Sequence, residues 1–125
     1  RQWHVDTKNP ICVLAIDKHK NQKEVFEELK FLFEHIKILV VVDAVKNDVN
    51  NDYMLLWRVV NNIDSNRDIV FYSNTICIDA TDKNELDKFM REWPEDVKCN
   101  QSVLQSLKDR NIIHVDSEFL NKFYI

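Results

Sequence analysis

No glycine occurs anywhere in the 125 residues, and this absence excludes the commonest nucleotide sites. A dinucleotide fingerprint or a P-loop needs a turn through which the backbone approaches phosphate, and glycine permits that approach because it lacks a Cβ. The three cysteines, Cys12, Cys77 and Cys99, are odd in number, far apart and in no CxxC pair. They argue against a disulfide framework or a zinc knuckle and fit free thiols in a reducing compartment. His4, His19, His35 and His114 are scattered too, which speaks against a histidine-rich metal site. There is no excess of positive charge: 17 Lys and Arg stand against 21 Asp and Glu, for a net charge of -4. Nucleic acid is therefore not an expected partner. No apolar run reaches the roughly 20 residues of a membrane span, and the opening "RQWHVDTKNP" lacks the apolar stretch of a signal peptide. A soluble, cytoplasmic protein with no transmembrane segment is expected.

What is present is a globular composition, 45% apolar and 30% charged, in a chain the length of one domain. Arg1 is not an encoded start, so the chain is expected to be a piece of a longer protein. "ICVLAID" and "KILVVVD" are short, continuous apolar runs that each end in aspartate, the pattern of strands buried on both faces. Between them, "NQKEVFEELKFLFEHI" carries Val25, Phe26, Leu29, Leu32, Phe33 and Ile36 in one stripe at helical spacing, with Phe31 on the opposite side. "DYMLLWRVVNNI" reads as a second helix whose broad apolar face is Tyr53, Leu56, Trp57, Val59, Val60 and Ile63, with Met54 and Leu55 off it and Trp57 assigned to the core.

"DIVFYS" then reads as a third strand, completing a βαβαβ unit with right-handed crossovers. The fold class is α/β: a single three-layer domain with a small, mostly parallel sheet and a short-helical C-terminal extension. In that extension Thr81 or Asp82 are candidate caps of a short helix, and Pro94 stops any helix. "QSVLQSLKDRN" reads as a helix, "IIHVD" as an edge strand, and "SEFLNKFYI" as a helix with Phe119, Leu120, Phe123 and Tyr124 on one side.

Ligands of open α/β sheets bind at the carboxyl ends of the strands, which is where Asp17 and Asp43 stand; the preferred reading is that both aspartates simply end strands and cap loops. No GxSxG turn is present, nor a Ser or Cys that pairs with a histidine by spacing. The carboxylates Asp79 with Asp82, and Glu92 with Glu95 and Asp96, read as a charged surface. Arg67 and Arg91 are suited to clamping a carboxylate, or to pairing with a neighbouring acid.

Three stretches, "IKILVVVD", "LLWRVVNNIDSNRDIVFYSNT" and "IDATDKNELDKFMREWP", resemble in that order the C-terminal domain of the UbiD family of decarboxylases. Shared with that family are the apolar strand ending in aspartate, the D-x-x-R-D turn after a tryptophan-bearing helix, the "IDAT-K" word and "REW". The resemblance runs from about Ile36 to Ile112. It implies that residues 1–125 are the C-terminal domain of a longer enzyme, with the catalytic domain absent. The enzyme it implies decarboxylates aromatic or unsaturated acids non-oxidatively, with prenylated FMN, a divalent metal and potassium, in ubiquinone or menaquinone biosynthesis. Catalytic, cofactor and metal residues belong to the preceding domain, so none is expected here, and the isolated chain is expected to be inactive. The partners implied are that missing domain, further subunits of a homo-oligomer and, for the whole enzyme, an aromatic acid. Arg67, Asp68, Asp79, Thr81, Lys83, Arg91, Glu92 and Trp93 match the family's words, and the resemblance implies that they face the pocket or the interdomain boundary. Departures are the direct joining of "SNTIC" to the third strand, with Cys77 where glycine is usual, and Ala44 and Val45 after Asp43. The competing expectation is a free-standing α/β module, without activity, that binds a protein through the Phe31 side and its C-terminal aromatic helix.

Overall fold

The structure, a computed structural model, describes residues 2–6 and 9–123, with side chains from residue 9 onward. In chain order the elements are β1 (Gln2–Asp6), β2 (Ile11–Ile16), α1 (Gln22–Glu28), β3 (Ile38–Asp43), α2 (Asp52–Asn62), β4 (Ile69–Tyr72), β5 (Thr75–Asp79), α3 (Gln101–Asp109) and α4 (Ser117–Phe123). Two compact units result, Arg1–Trp93 with the sheet and α1 and α2, and Pro94–Ile125 with α3 and α4.

The sheet has five strands in the order β1-β2-β3-β5-β4. β2, β3 and β5 run parallel, and β1 and β4 are antiparallel edges. β3 is central, and its run Leu39 to Val42 is buried throughout, as expected for a strand covered on both faces. Alternation along it divides the core. Leu39 and Val41 pack with Cys12, Cys77, Ile36 and the fully buried Phe26 of α1. Val40 and Val42 pack with Ala15, Val49, Ala80 and Leu55 of α2 on the other face. The outcome is the three-layer α/β arrangement expected.

Several elements depart from the sequence reading. "DIVFYS" does form a strand, β4, but as an antiparallel edge; the third parallel strand is β5, "TICID", where the reading saw only a join. Ser73 and Asn74 make the two-residue turn between them, so Cys77 lies in a core strand rather than a loop. β1 was not foreseen. "IIHVD" forms no strand, whereas α3 and α4 lie where helices were expected; Tyr124 falls outside the described residues. Thr81 and Asp82 cap nothing. Asn84 instead caps a single 3₁₀ turn, Glu85–Asp87, through Leu86 N.

α2 is rotated from the face expected: Val59 and Ile63 pack against the core as read, but Tyr53, Leu56, Trp57 and Val60 are exposed. Leu55, Arg58 and Asn62 are buried, whereas Leu56 is 64% and Trp57 39% exposed. Both stripes have helical spacing, so apolarity alone favours the Tyr53, Leu56, Trp57 and Val60 side. The selection is made by Asn62, whose Nδ2 donates to Ala80 O and to Asp82 Oδ1, both at 3.1 Å. A buried amide needs those partners, so the helix turns its amide-bearing side to the sheet.

The missing glycines leave a mark on the backbone. Ser73, Lys88 and Asn111 hold φ of 45°, 60° and 54°, a region that disfavours residues with a Cβ by about 1–2 kcal/mol. Ser73 occupies the first central position of a hairpin turn, where glycine is preferred. Ser73→Gly is expected to stabilise the chain by about 0.5–1 kcal/mol after the added unfolded-state entropy. Urea denaturation reads this directly, and an unchanged or lower midpoint would count against strain at this turn.

Candidate functional site: an ion network at the carboxyl end of the sheet

Where β2, β3 and β5 end, the chain gathers charge beneath its surface. Lys18, two residues past β2, has a side chain only 4% exposed. Its Nζ donates to Asp87 Oδ2 at 2.6 Å, Thr81 Oγ1 at 2.8 Å and Asp79 Oδ2 at 3.3 Å. Lys83 is buried deeper, at 1%. Its Nζ donates to the carbonyls of Asp79 and Thr81, both at 2.8 Å, and lies 3.3 Å from Asp79 Oδ1 and 3.5 Å from Asp68 Oδ1. Asp79 Oδ1 also accepts from the Thr81 amide at 3.0 Å and from the Thr81 hydroxyl.

Asp68 joins from the start of β4. Arg67 grips it with a fork, Nε to Oδ1 at 2.8 Å and an Nη to Oδ2 at 2.7 Å, while the Asp64 amide donates to Oδ2 at 2.8 Å. Burial pushes the Asp68 carboxyl up, but the Arg67 bonds, the Asp64 amide and the Lys83 charge outweigh it and hold it below the usual carboxylate range. Lys18, Lys83 and Arg67 thus balance Asp68, Asp79 and Asp87, and charges taken this far from water need that matching.

A second, smaller cluster surrounds Asp43 at the end of β3. Its Oδ2 accepts from the Asp82 amide at 2.7 Å, and Asp82 in turn meets Asn62 and Lys46. Burial raises the Asp43 carboxyl above its usual range, the Asp82 amide opposing. Asp17, the other strand-ending aspartate, is exposed and stands outside both clusters.

Five of the eight residues singled out from sequence, Arg67, Asp68, Asp79, Thr81 and Lys83, are therefore brought together. Arg91 and Glu92 are exposed on the strip beyond, and Trp93 is half-buried. Trp93 meets Phe89 edge to face at 5.2 Å, and the Arg67 guanidinium lies 5.7 Å and 5.8 Å from the centres of those two rings. Sequence reasoning missed Lys18 and Asp87. Lys18 could have been found from its place just past a strand end, but Asp87 had no signal beyond being one acid among many. Burial raises the Cys77 thiol to about 11, so it stays protonated and unreactive.

The arrangement suits holding a loop. Every charged group of the larger network is engaged by its neighbours, and no cluster of three metal-ligating side chains occurs among the described residues. These residues thus offer no fit for the divalent metal or the flavin that the family resemblance implies. No helix of the described residues is long and apolar enough to cross a membrane.

The fold is an α/β/α domain in which this network holds the loop after β5. The family described as the 3-octaprenyl-4-hydroxybenzoate carboxy-lyase C-terminal domain matches residues 6–98, and the chain belongs to that UbiD C-terminal family. It is 43% identical over 129 residues to a protein described as uncharacterized in Helicobacter pylori strain 26695, and equally to its counterpart in strain J99; each match covers 100% of this chain and 20% of the relative. Among solved structures it is similar to an evolved dimeric form of the UbiD-class enzyme HmfF from Pelotomaculum thermopropionicum in complex with prFMN. That likeness has a TM-score of 0.61 at 20% identity, over 86% of this chain and 25% of the other. It is also similar to the vanillic acid decarboxylase of Sedimentibacter hydroxybenzoicus in an open form, with a TM-score of 0.52 at 14% identity, over 82% of this chain and 26% of the other. At such identities the likeness shows the fold. The chain spans about a fifth of the length of the H. pylori relatives.

Asp79→Asn would remove the carboxylate that Lys18 and Lys83 share, leaving Lys18 with Asp87 and Lys83 with Asp68 and one buried positive charge in excess, and is expected to cost about 3 kcal/mol in urea denaturation; a loss below about 1 kcal/mol would mean that the network behaves like a surface pair. The two displaced carboxyls act oppositely with pH. Asp68, depressed in the fold, contributes stability that is present above its unfolded pKa of about 3.9 and is lost as pH falls through the folded value. Asp43, raised in the fold, contributes most below that same unfolded pKa and loses this as pH rises through its folded value. Asp43→Asn is therefore expected to keep or raise Tm at pH 7, its amide oxygen still accepting from Asp82. A lower Tm at pH 7 would refute this.

Proposed function

We propose that this chain is the C-terminal domain of a prenylated-FMN-dependent decarboxylase of aromatic carboxylic acids, serving ubiquinone or menaquinone biosynthesis. Its part is structural: it packs against a preceding catalytic domain, helps close the substrate pocket and takes part in subunit association. The observation that carries the reading is the family match over residues 6–98, because it takes in both the buried network and the "REW" strip.

Surface apolarity supports it. Phe31, on one side of the sheet, is 70% exposed, and Tyr53, Leu56, Trp57 and Val60 form an exposed stripe on α2, on the other. Faces of this kind are expected where a domain meets a partner surface. Arg91, Glu92 and Trp93 would face the interdomain boundary, held in shape by Arg67, which is anchored to Asp68. In the parent enzyme the flavin would supply the electron sink for carbon dioxide loss; no residue of this chain is assigned to it, to the metal or to potassium.

Two measurements test the reading. Coding sequence upstream of Arg1 is expected to run in frame for several hundred codons, and a stop codon shortly upstream would favour a free-standing binding module. The chain alone, supplied with prenylated FMN and aromatic acids, is expected to release no carbon dioxide, whereas the longer protein does. Release by the chain alone would place the chemistry within these 125 residues and overturn the division of labour.

A further inference from the structure

We propose that β4 is a docking edge for a second copy of this chain, the two β4 strands pairing antiparallel about a two-fold axis at Val70 so that one sheet runs through both copies. β4 is the last strand of the sheet, with β5 on one side and no described strand on the other. The ladder fixes which of its main-chain groups are already used. The Asp79 amide donates to Asp68 O, whereas the Ile76 and Ala80 amides donate the other way, to Lys37 O and Val41 O along β3. Bonded positions alternate in an antiparallel pair, and Ile69 stands opposite Ile78. Val70 and Tyr72, in phase with Asp68, therefore turn their N–H and C=O towards β5. Ile69 and Phe71 turn theirs away from the sheet, where no described main-chain group meets them.

Such an edge is a template for a further strand unless charge, proline or a bulge blunts it. β4 reads Ile-Val-Phe-Tyr, with no charged residue and no proline, and its register with β5 is unbroken. β1, at the opposite edge, carries Gln2, His4 and Asp6. Phe71 is 74% exposed, a large apolar side chain placed at one of the two unpaired positions. Self-complementarity points to a second copy as the occupant. A two-fold axis at Val70 sets Ile69 of each copy opposite Phe71 of the other, and these are the positions with main-chain groups to spare, so each pair exchanges both N–H···O bonds. Each is also a cross-strand pair of an aromatic with a β-branched side chain, a favoured combination. Arg67 comes opposite Ser73 of the second copy and Asp68 opposite Tyr72, so no like charges face each other. A strand of other sequence would fill the main-chain bonds, but self-pairing also covers Phe71 in both molecules. This names a surface for the subunit association proposed above, and rests on that reading only in placing the contact within a longer enzyme.

The test combines sedimentation equilibrium with cross-linking, in the chain and in the longer protein, each carrying Cys99→Ser as background. The chain is expected to show a monomer–dimer equilibrium with a midpoint of about 0.1 mM, weak because the contact is small. Phe71→Lys, at an exposed position, is expected to weaken it by about tenfold and to keep its Tm. Cysteine variants read the register. Val70 would face Val70 of the second copy in a non-hydrogen-bonded pair with Cα atoms about 4.5 Å apart, within reach of a disulfide, whereas the more exposed Phe71→Cys has no cysteine opposite. Under mild oxidation Val70→Cys is expected to give a covalent dimer in both proteins, and Phe71→Cys is not. Should Val70→Cys fail to fold, mixed Ile69→Cys and Phe71→Cys copies, which oppose each other, carry the same comparison. A chain that stays monomeric at about 1 mM, or equal cross-linking of Val70→Cys and Phe71→Cys, would overturn the proposal. So would a dimer indifferent to Phe71→Lys, which would leave subunit association standing and move it to another surface. Cross-linking in the chain but not in the longer protein would give the edge to the preceding domain, and overturn it too.

Discussion

Two buried lysines sharing one aspartate organise the carboxyl end of the sheet. Asp79 terminates β5, and Lys18 and Lys83 reach it from different parts of the chain. Neither lysine is stable there alone, since an ammonium removed from water needs a matching charge and filled hydrogen bonds. Each therefore recruits more partners: Lys18 takes Thr81 and Asp87, and Lys83 takes two main-chain carbonyls and Asp68. The segment from Asp79 to Asp87, with just one 3₁₀ turn of regular structure, is fixed by this set of contacts.

That constraint accounts for how a connection with a single 3₁₀ turn keeps a defined course. A loop of this kind ordinarily relies on glycine where it must turn sharply, and this chain has none. Lys88 takes the left-handed conformation just after the turn, and the ion pairs upstream hold the chain while it does so. Beyond it, the rings of Phe89 and Trp93 lie against the guanidinium of Arg67, whose N–H edge grips Asp68. Network and surface strip are thus joined through one arginine, a link that a lysine's point charge would not reproduce.

Periodicity and position made much of this legible. The continuous apolar runs of β2 and β3 and the stripe from Val25 to Ile36 were readable because burial on two faces, or on one, writes itself into side-chain chemistry, although the helix read over that stripe ends at Glu28 and a 3₁₀ turn, Lys30–Leu32, carries the chain on. Five of the network residues stood out because their words resemble a known family, and not because spacing assigned them a partner. Lys18 and Asp87 escaped notice, since a lysine and an aspartate 69 residues apart look like two surface charges until the fold joins them. β5 was missed for a related reason: "TICID" is short and follows directly on β4, and only pairing shows that it, and not "DIVFYS", continues the parallel sheet.

The sequence by itself determined the α/β class, the absence of a glycine-built phosphate site and the family, because these depend on composition, local patterning and the order of uncommon words. Tertiary structure decided which stripe of α2 faces inward, which strand occupies the sheet's third parallel position and which charges are buried. Those outcomes depend on hydrogen-bond partners and counter-charges supplied from distant segments, and no local window contains them. Asn62 shows the difference most plainly: its letter reads as a polar surface residue, and its bonds to Ala80 and Asp82 orient the whole helix.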